Sequence, residues 1–491
     1  MIRKILPAVV LFLCSSQAAY AQRPGEISYH DESVMPTGVI GERISSVIST
    51  LNAGDPEAVR RFIEEECSEQ FANFAPMEEH ISVFLSVRRR TGGVDFHSIR
   101  SYVPERTGET VVILKDRNFG AWRAFTLQLD DAGRVDGLGF NDARTPSNVE
   151  EPPLGEAQLV EIIEETVDRV CANDAFSGTV LLAKDDEVLF SHACGEASKR
   201  FHVPNNIDTR FNLGSMNKMF TATAIAQLVE RGEVSYDETI DNYVDESWLP
   251  AEITSKITIH HLLSHTSGLG SYFSEKFFNE SRRLYREIDD FKPLVQEEEL
   301  AFEPGERFRY SNTGMLLLGA VIESATGVGY FDYIRQHIYG PAGMESSDSY
   351  EMDYPVENVA IGYDPQPRHE PAWMNNLFLH SIKGGPAGGG FSTVGDLHRF
   401  ARALVAGVLV SQGSLEVMWT AKSDAGYGYG FVTQVGPKGR VVGHGGGFTG
   451  INGDLAIFVD AGYVVAVLSN YSNGASPLSG RIQNLIGRVQ P

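Results

Sequence analysis

Strand-forming segments stand at both ends of the long C-terminal part of the chain, and a helical region separates them. Near its start, SGTVLLAKDDEVLFSHACG (177–195) predicts a β-hairpin with its turn near 184–186. At its end, YGYGFVTQ (427–434), GRVVGHGGG (439–447) and GDLAIFVDAGYVVAVLSN (453–470) predict further strands. If both ends share one antiparallel sheet, the helical middle is an insertion beside it, and a cleft forms where the two parts meet. The predicted fold class is therefore α+β, an antiparallel sheet flanked by helices with an inserted helical subdomain.

A smaller unit at 41–140 precedes this domain, which we place at 157–491. Helical patterns cover 41–51, a stretch that begins at Asp55-Pro56, and 77–90, and strand patterns cover 94–103, 109–116, 120–130 and 134–140. Helices followed by a meander indicate a small α+β domain with a curved sheet. This order of elements resembles the nuclear-transport-factor-2-like, or SnoaL-like, cone fold. Residues 22–40 are predicted to be a leader, and the polar, proline-containing stretch 141–156 a linker.

The first 21 residues have the pattern of a secretory signal peptide. Arg3 and Lys4 precede an apolar run from Ile5 to Leu13, and Ala19-Tyr20-Ala21 is typical of a cleavage site before Gln22. The apolar run is too short to span a bilayer, so we expect an exported chain, periplasmic or secreted, without stable membrane insertion. The formal net charge of −24 disfavours nucleic acid as a partner, because binding to phosphates needs a basic patch.

Three cysteines remain after signal cleavage, at positions 67, 171 and 194. This odd number allows at most one intrachain disulfide, and small buried or half-buried thiols are favoured over a disulfide framework. The sequence has no C-x-x-C, no H-E-x-x-H and no cluster with metal-ligand spacing, so no metal and no cofactor are predicted.

The stretch FNLGSMNKMF (211–220) places Ser215 and Lys218 three residues apart at the start of a strongly helical run. This spacing puts both side chains on the same helix face. A serine becomes a good nucleophile only when a base takes its proton, and a lysine can do so if burial lowers its pKa. The backbone N–H of Ser215, at the helix start, can face an oxyanion. A helix-capping serine followed by a surface lysine is the alternative, although the apolar neighbours of Lys218 are unusual for an exposed lysine.

A second candidate motif is Tyr310-Ser311-Asn312, just before an apolar helix. Alternate residues of an extended or turn segment point the same way, so Tyr310 and Asn312 would share one side. Tyr310 could relay protons near a cation, and Asn312 could orient both Lys218 and a substrate amide. The alternative is a capped helix with a core tyrosine.

The third candidate is His444-Gly445-Gly446-Gly447, which follows a short predicted strand over 439–443. Consecutive glycines beside a strand usually mark a close approach of backbone or ligand. Bare N–H groups on an edge strand could pair with a substrate and supply an oxyanion donor. A flexible hairpin loop is the alternative.

These three motifs, in this order, resemble the serine β-lactamase and penicillin-binding-protein superfamily, above all its class C β-lactamase branch with related esterases and D-amino-acid-specific peptidases. The resemblance covers about 157–491. It implies that Ser215 is the nucleophile, that Lys218 activates it, and that Tyr310 acts as general base and acid. It further implies substrate binding by Asn312, His444 and Gly446, and an oxyanion hole made by the N–H groups of Ser215 and Gly447.

His444 stands where many members of that superfamily have the lysine of K-T-G, and Gly445 replaces a hydroxyl-bearing residue. A histidine that is neutral at pH 7 recognises a substrate carboxylate less well than a fixed cation. We therefore expect hydrolysis of a small-molecule ester or peptide rather than efficient β-lactamase activity. A true β-lactamase or DD-peptidase, and a penicillin-binding or sensor protein that acylates without turnover, remain alternatives.

Two other features of the helical middle bear on the site. His265, in SHTSG, is interpreted as a loop-stabilising residue. The polar and aromatic stretch 270–300 is predicted to cover the cleft as a lid. The GYGYG at 426–430 is not a dinucleotide-binding fingerprint, because no suitable helix or paired acid follows it.

Overall fold

The computed structural model describes residues 28–106, 108–366 and 373–490, so the predicted signal peptide and most of the predicted leader lie outside the described residues. Within these ranges, no single helix is long and apolar enough to cross a membrane; one bent pair, 312–326 with 330–342 at 83°, reaches that threshold only in combination.

The N-terminal domain contains β1 Ser28–Glu32, α1 Val39–Ala53, α2 Pro56–Glu66, α3 Glu69–Phe74, α4 Met77–Thr91, β2 Val94–Val103, β3 Thr110–Asp116, β4 Trp122–Leu129 and β5 Val135–Asp142. Its five strands form an antiparallel sheet in sequence order, and the helices pack on one face. The predicted helices and the four predicted strands are confirmed. The short helix α3 was not predicted.

Strand β1 corrects the predicted leader, because Ser28–Glu32 pairs along β2. Its sequence SYHDE lacks an apolar alternation that would reveal a strand. An ion pair holds it instead: Asp31 accepts from Nε of Arg100 at 2.9 Å, and both side chains are buried. The connection to the second domain also lies on this edge, where Tyr29 Oη donates to the carbonyl of Thr145 at 3.0 Å.

The second domain contains a central sheet, a helical middle and three two-stranded sheets. Its elements in chain order are α5 Glu156–Ala172, β6 Gly178–Lys184, β7 Glu187–Cys194, β8 Glu196–Ser198, β9 Val203–Pro204, β10 Phe211–Asn212, α6 Asn217–Glu230, α7 Ala251–Thr254, α8 Ile259–Leu263, α9 Glu275–Asn279, α10 Lys292–Val295, α11 Asn312–Thr326, α12 Tyr330–Ile334, α13 Gly340–Ala342, β11 Tyr363–Pro365, β12 Trp373–Asn375, β13 Phe391–Ser392, α14 Val394–Val405, α15 Gln412–Trp419, β14 Val432–Gly436, β15 Gly439–Phe448, β16 Ile451–Phe458, β17 Tyr463–Ser469 and α16 Ala475–Ile486.

Both ends of this domain meet in one six-stranded antiparallel sheet, ordered β14-β15-β16-β17-β6-β7. The closing pair is β17 with β6, where Val467 lies opposite Val180. Alternate residues of β6 face different cores: Val180 and Leu182 pack with α5 and α16, and Leu181 packs with the helical middle. The predicted α+β architecture is confirmed.

The two domains dock through the turn between β3 and β4. Phe119 is 1% exposed and belongs to the same apolar cluster as Leu159 of α5 and Ile482 of α16. Beside it, Nε of Arg169 donates to the carbonyl of Asn118 at 2.7 Å. One buried aromatic ring and a charged hydrogen bond therefore fix the N-terminal domain against the second domain.

Cys171 at the end of α5 and Cys194 at the end of β7 form a disulfide, with an S–S distance of 2.06 Å, and Cys67 is free and buried. The sequence left open whether Cys171 and Cys194 pair, and the packing of α5 on the sheet brings the two together. Among the described residues, the one group arranged closely enough to hold a metal is Cys171, His192 and Cys194, and the disulfide occupies both of its sulfurs.

Candidate active site

Ser215 lies in a tight turn between β10 and α6. Residues Gly214–Met216 form one turn of 3₁₀ helix and α6 starts at Asn217, so the observed α-helix begins two residues after the predicted start at Ser215. Gly214 has φ 49°, and a Cβ there would lie 3.0 Å from the backbone N of Gly447. Glycine thus lets the turn approach β15 closely, and Ser215 beside it stays half-buried.

Lys218 lies one turn further on and is fully buried. Its Nζ is 3.1 Å from Oγ of Ser215, 2.9 Å from Oδ1 of Asn312 and 2.5 Å from the carbonyl O of Ala387. Burial lowers the pKa of Lys218 well below its usual range. The structure therefore brings together the predicted serine and lysine, and the amine is biased towards its neutral form.

The three neighbours of Lys218 fit a neutral amine. Such a group offers two N–H donors and one lone pair. The oxygens of Asn312 and Ala387 can only accept, whereas the hydroxyl of Ser215 can donate. A neutral Lys218 that donates to Asn312 and Ala387 would have its lone pair free for the hydroxyl proton of Ser215, as the predicted role of general base requires.

Tyr310 and Asn312 flank Ser311, which caps α11 by accepting from the N–H of Gly314 at 2.8 Å. The cap fixes the turn from which both side chains reach Lys218. Nζ of Lys218 lies 4.7 Å from the centroid of the Tyr310 ring. Asn312 also donates from Nδ2 to Oγ of Ser271 at 3.1 Å. The predicted Y-x-N pair thus joins Ser215 and Lys218 in one cluster.

His444 lies inside β15 and not after its end, which corrects the predicted strand over 439–443. Strand β14 pairs with β15 only as far as Gly443, so the stretch 444–448 has no partner from β14. This part of β15 pairs with β16 on its other side. The glycine stretch therefore lies on a strand and not in a flexible loop, and its use as a substrate-binding edge stays a prediction.

Burial lowers the pKa of His444 to about 3. Nδ1 of His444 lies 2.5 Å from the carbonyl O of Gly445, and Nε2 lies 3.0 Å from Oη of Tyr427. A carbonyl only accepts, so Nδ1 carries the proton and Tyr427 donates to Nε2. The imidazole of His444 is therefore neutral, in agreement with the expectation from the sequence.

Gly446 and Gly447 occupy different environments on β15. A Cβ on Gly446 would lie 1.9 Å from the carbonyl O of Leu213, so this glycine permits the close packing of β15 on the turn at 213–216, which we name the nucleophile turn because it carries the candidate nucleophile Ser215. Gly447 is exposed, and its N faces Gly214 next to Ser215. Substrate binding at Gly446 and the oxyanion hole at Ser215 and Gly447 remain predictions.

Three contributors to the site were not assigned to it from the sequence. Tyr427, inside GYGYG, is buried against His444. The carbonyl of Ala387 accepts from Lys218 across a long chain separation. His265 packs its ring 4.4 Å from that of Tyr310 and accepts from the N–H of Ser311 at 3.2 Å. Its contacts agree with a loop-stabilising residue, and they hold the segment that carries Tyr310.

The sheet, the inserted helices and the cluster of Ser215, Lys218 and Tyr310 define the class of β-lactamase-fold serine hydrolases. A family model described as Beta-lactamase matches residues 160–486. The chain is 34% identical over 316 residues to Penicillin-binding protein 4* of Bacillus subtilis strain 168, covering 60% of this chain and 68% of that protein. It is 31% identical over 236 residues to Esterase EstB of Burkholderia gladioli, covering 45% of this chain and 59% of that esterase. The chain therefore belongs to the β-lactamase family.

Solved structures agree with this assignment. A penicillin binding protein from Bacillus halodurans superimposes with a TM-score of 0.60 at 30% identity, over 67% of this chain and 98% of that one. A D-stereospecific amidohydrolase from Streptomyces sp. gives 0.55 at 25% identity, over 67% and 98% of the two chains. The predicted family is thus confirmed for the second domain, and the cone-fold resemblance of the N-terminal domain stays a prediction.

Proposed function

We propose that this chain is an exported serine hydrolase that cleaves ester or amide bonds through an acyl-enzyme on Ser215. The buried Lys218, with Nζ 3.1 Å from Oγ of Ser215 and a lowered pKa, is the observation that carries the proposal. A lysine that lacked this function would have little reason to be fully buried beside a hydroxyl, because removing an ammonium from water is costly.

The contacts suggest a sequence of proton transfers. Lys218 takes the hydroxyl proton of Ser215 while Oγ forms a bond to the substrate carbonyl carbon. The N–H groups of Ser215 and Gly447 stabilise the negative charge on the carbonyl oxygen. Tyr310 donates a proton to the leaving oxygen or nitrogen as that bond breaks, which leaves a Tyr310 phenolate beside the protonated Lys218. Tyr310 then takes a proton from water, the hydroxide attacks the acyl-enzyme, and Oγ leaves with a proton from Lys218.

Substrates without an essential carboxylate fit this site best. The position that would hold a fixed cation carries His444, whose pKa burial lowers to about 3. The imidazole carries no charge, and its two nitrogens already contact Tyr427 and Gly445, so it would bind an anion only weakly. The esterase and the amidohydrolase among the similar proteins support ester or amide hydrolysis.

Two features support export. The N-terminal 21 residues have the signal-peptide pattern. The disulfide between Cys171 and Cys194 is a bond that persists in oxidising compartments, such as the periplasm or the extracellular space.

A burst experiment on the mature chain tests the function. The substrates are p-nitrophenyl acetate, p-nitrophenyl butyrate and the chromogenic cephalosporin nitrocefin, with Ser215→Ala as the control and intact-mass spectrometry to detect the acyl adduct. We expect ester turnover that Ser215→Ala abolishes, and slow nitrocefin hydrolysis. Rapid nitrocefin turnover would indicate a true β-lactamase, and a stable adduct without turnover a penicillin-binding or sensor protein. Ester turnover that persists in Ser215→Ala would refute the proposal.

A further inference from the structure

Strand β15 presents His444, Gly446 and Phe448 on one face, because side chains alternate along a strand and its register with β16 is regular from 441 to 448. Gly446 packs directly on Leu213 at the nucleophile turn. The turn that carries Ser215 therefore fits into the gap over Gly446, with His444 on one side and Phe448 on the other. At about 3.3 Å per residue, His444 and Phe448 are about 13 Å apart along the strand. We refer to these two positions as the two ends of the predicted cleft.

The Phe448 end is lined by aromatic rings. The Phe448 ring stacks on that of Phe273, with centroids 5.7 Å apart and an interplanar angle of 24°. The Phe273 ring stacks in turn on that of Phe278, at 6.2 Å and 23°. We name Phe448, Phe273 and Phe278 the aromatic wall. Phe448 and Phe273 are half-buried and Phe278 is 48% exposed, so ring surface remains accessible.

The aromatic wall is attached to the catalytic cluster at two points. Phe448 directly follows Gly447, whose N faces the nucleophile turn. Phe273 lies two residues after Ser271, whose Oγ accepts from Nδ2 of Asn312. The contact between Phe448 and Phe273 therefore connects the central sheet with the predicted lid segment, 270–300.

The position of Tyr310 distinguishes the two ends of the cleft. The Tyr310 ring lies 6.3 Å from that of His444 and 6.2 Å from that of Tyr427, at the end away from Phe448. A group that protonates the leaving atom must stand on the leaving-group side of the scissile bond. The acyl group of the substrate then extends in the other direction, towards the aromatic wall.

We propose that the aromatic wall is the acyl-binding subsite and that the enzyme selects uncharged substrates whose acyl group is apolar, above all aromatic. This inference rests on the proposed function and adds its substrate class. Accessible aromatic faces favour a planar apolar group, because stacking adds to the free energy of burying its surface. A short acyl group such as acetyl cannot reach the rings and gains nothing from them.

Steady-state hydrolysis of p-nitrophenyl phenylacetate and p-nitrophenyl acetate tests the subsite, since the leaving group is the same in both esters. For the wild type, we expect kcat/KM to be at least about tenfold higher for the phenylacetate, since one well-stacked ring is worth about a factor of 10. Phe273→Ala should reduce this preference about tenfold, through a lower kcat/KM for the phenylacetate. Phe278→Ala, at an exposed position with little risk to folding, should reduce it about threefold.

Phe74→Ala is the matched control, because Phe74 is 86% exposed on the N-terminal domain. It should keep the wild-type preference. The subsite is refuted if Phe273→Ala and Phe278→Ala both acylate on Ser215 with acetate and keep the wild-type ratio of the two esters. A failure of the proposed function looks different, since turnover of both esters would then survive Ser215→Ala.

Discussion

The hydroxyl of Tyr427 lies 3.0 Å from Nε2 of His444, and both side chains are buried beside Lys218. Burial also raises the pKa of Tyr427 well above its usual range, so the phenol keeps its proton and donates it. The pair forms an uncharged hydrogen-bonded unit at the position where the resemblance predicts a substrate-binding residue. Under the proposed function, we expect substrate selection at this position to depend on shape and hydrogen bonds and not on charge.

The pKa of His444 predicts the pH dependence of catalysis. With a folded-state pKa of about 3, the imidazole is neutral at every pH above about 4, so it adds no ionisation between pH 5 and 8. The profile of kcat/KM for p-nitrophenyl butyrate should have the same shape in the wild type and in His444→Gln, since glutamine can also accept from Tyr427. A limb with its midpoint near 6.5 that disappears in His444→Gln would contradict the neutral assignment. His202→Gln, at an exposed histidine, is the control.

Lys218→Arg should lower kcat/KM by about 10³-fold, within the usual range for loss of a positioned general base. A guanidinium stays protonated under all working conditions and cannot accept the proton of Ser215. The measurement is the burst amplitude and the steady-state rate with p-nitrophenyl acetate, with circular dichroism to confirm folding. Lys256→Arg, on the surface, should retain full activity. Retention of more than a tenth of the wild-type rate in Lys218→Arg would exclude a neutral amine as the base.

The parts of the site that sequence reasoning found are those set by local geometry. Ser215 and Lys218 lie one helical turn apart, and Tyr310 and Asn312 belong to one capped turn. The parts it missed depend on tertiary contacts. Ala387 meets Lys218 only because a distant loop packs across the start of α6, and its contribution is a backbone carbonyl, which no residue type signals. Tyr427 stands in a glycine-rich stretch whose role depends on how it packs against β15.

The same distinction holds for the fold. The strands of the central sheet were predicted because their apolar residues alternate or form continuous runs. Strand β1 was taken for part of the leader, because it is held by the buried ion pair of Asp31 with Arg100 and not by an apolar face. The disulfide could not be predicted, because the spacing of Cys171 and Cys194 carries no information on how α5 packs against β7.

The burial of Phe119 between the domains predicts that the two domains unfold together. Replacing this fully buried ring by alanine should cost about 3–5 kcal/mol of docking free energy. Because the ring comes from one domain and its pocket from the other, we expect Phe119→Ala to split thermal unfolding into two calorimetric transitions. The acylation burst at 25 °C should persist, since Ser215 lies in the second domain. Phe74→Ala should unfold as the wild type does, and the prediction is wrong if Phe119→Ala unfolds in one transition with an unchanged midpoint.

Asp454 on β16 predicts how stability varies with pH. Burial raises its pKa from 3.8 to about 6, although Oγ of Ser479 and Nε2 of Gln483 donate to it at 2.5 and 3.0 Å. A carboxyl group whose pKa is raised on folding favours the folded state while it is protonated, and this contribution is lost as the pH rises from about 4 through about 6.

Asp454→Asn removes this ionisation and keeps an oxygen that accepts both hydrogen bonds. At pH 8 the variant should be more stable than the wild type by about 2–3 kcal/mol, since each unit of pKa shift corresponds to about 1.4 kcal/mol. At pH 4 the two proteins should differ little, because the wild-type carboxyl is then protonated in the folded state. Urea denaturation at both pH values measures the difference, with Asp424→Asn on the surface as the control. Equal or lower stability of Asp454→Asn at pH 8 would show that the buried carboxylate is better solvated or paired than its surroundings indicate.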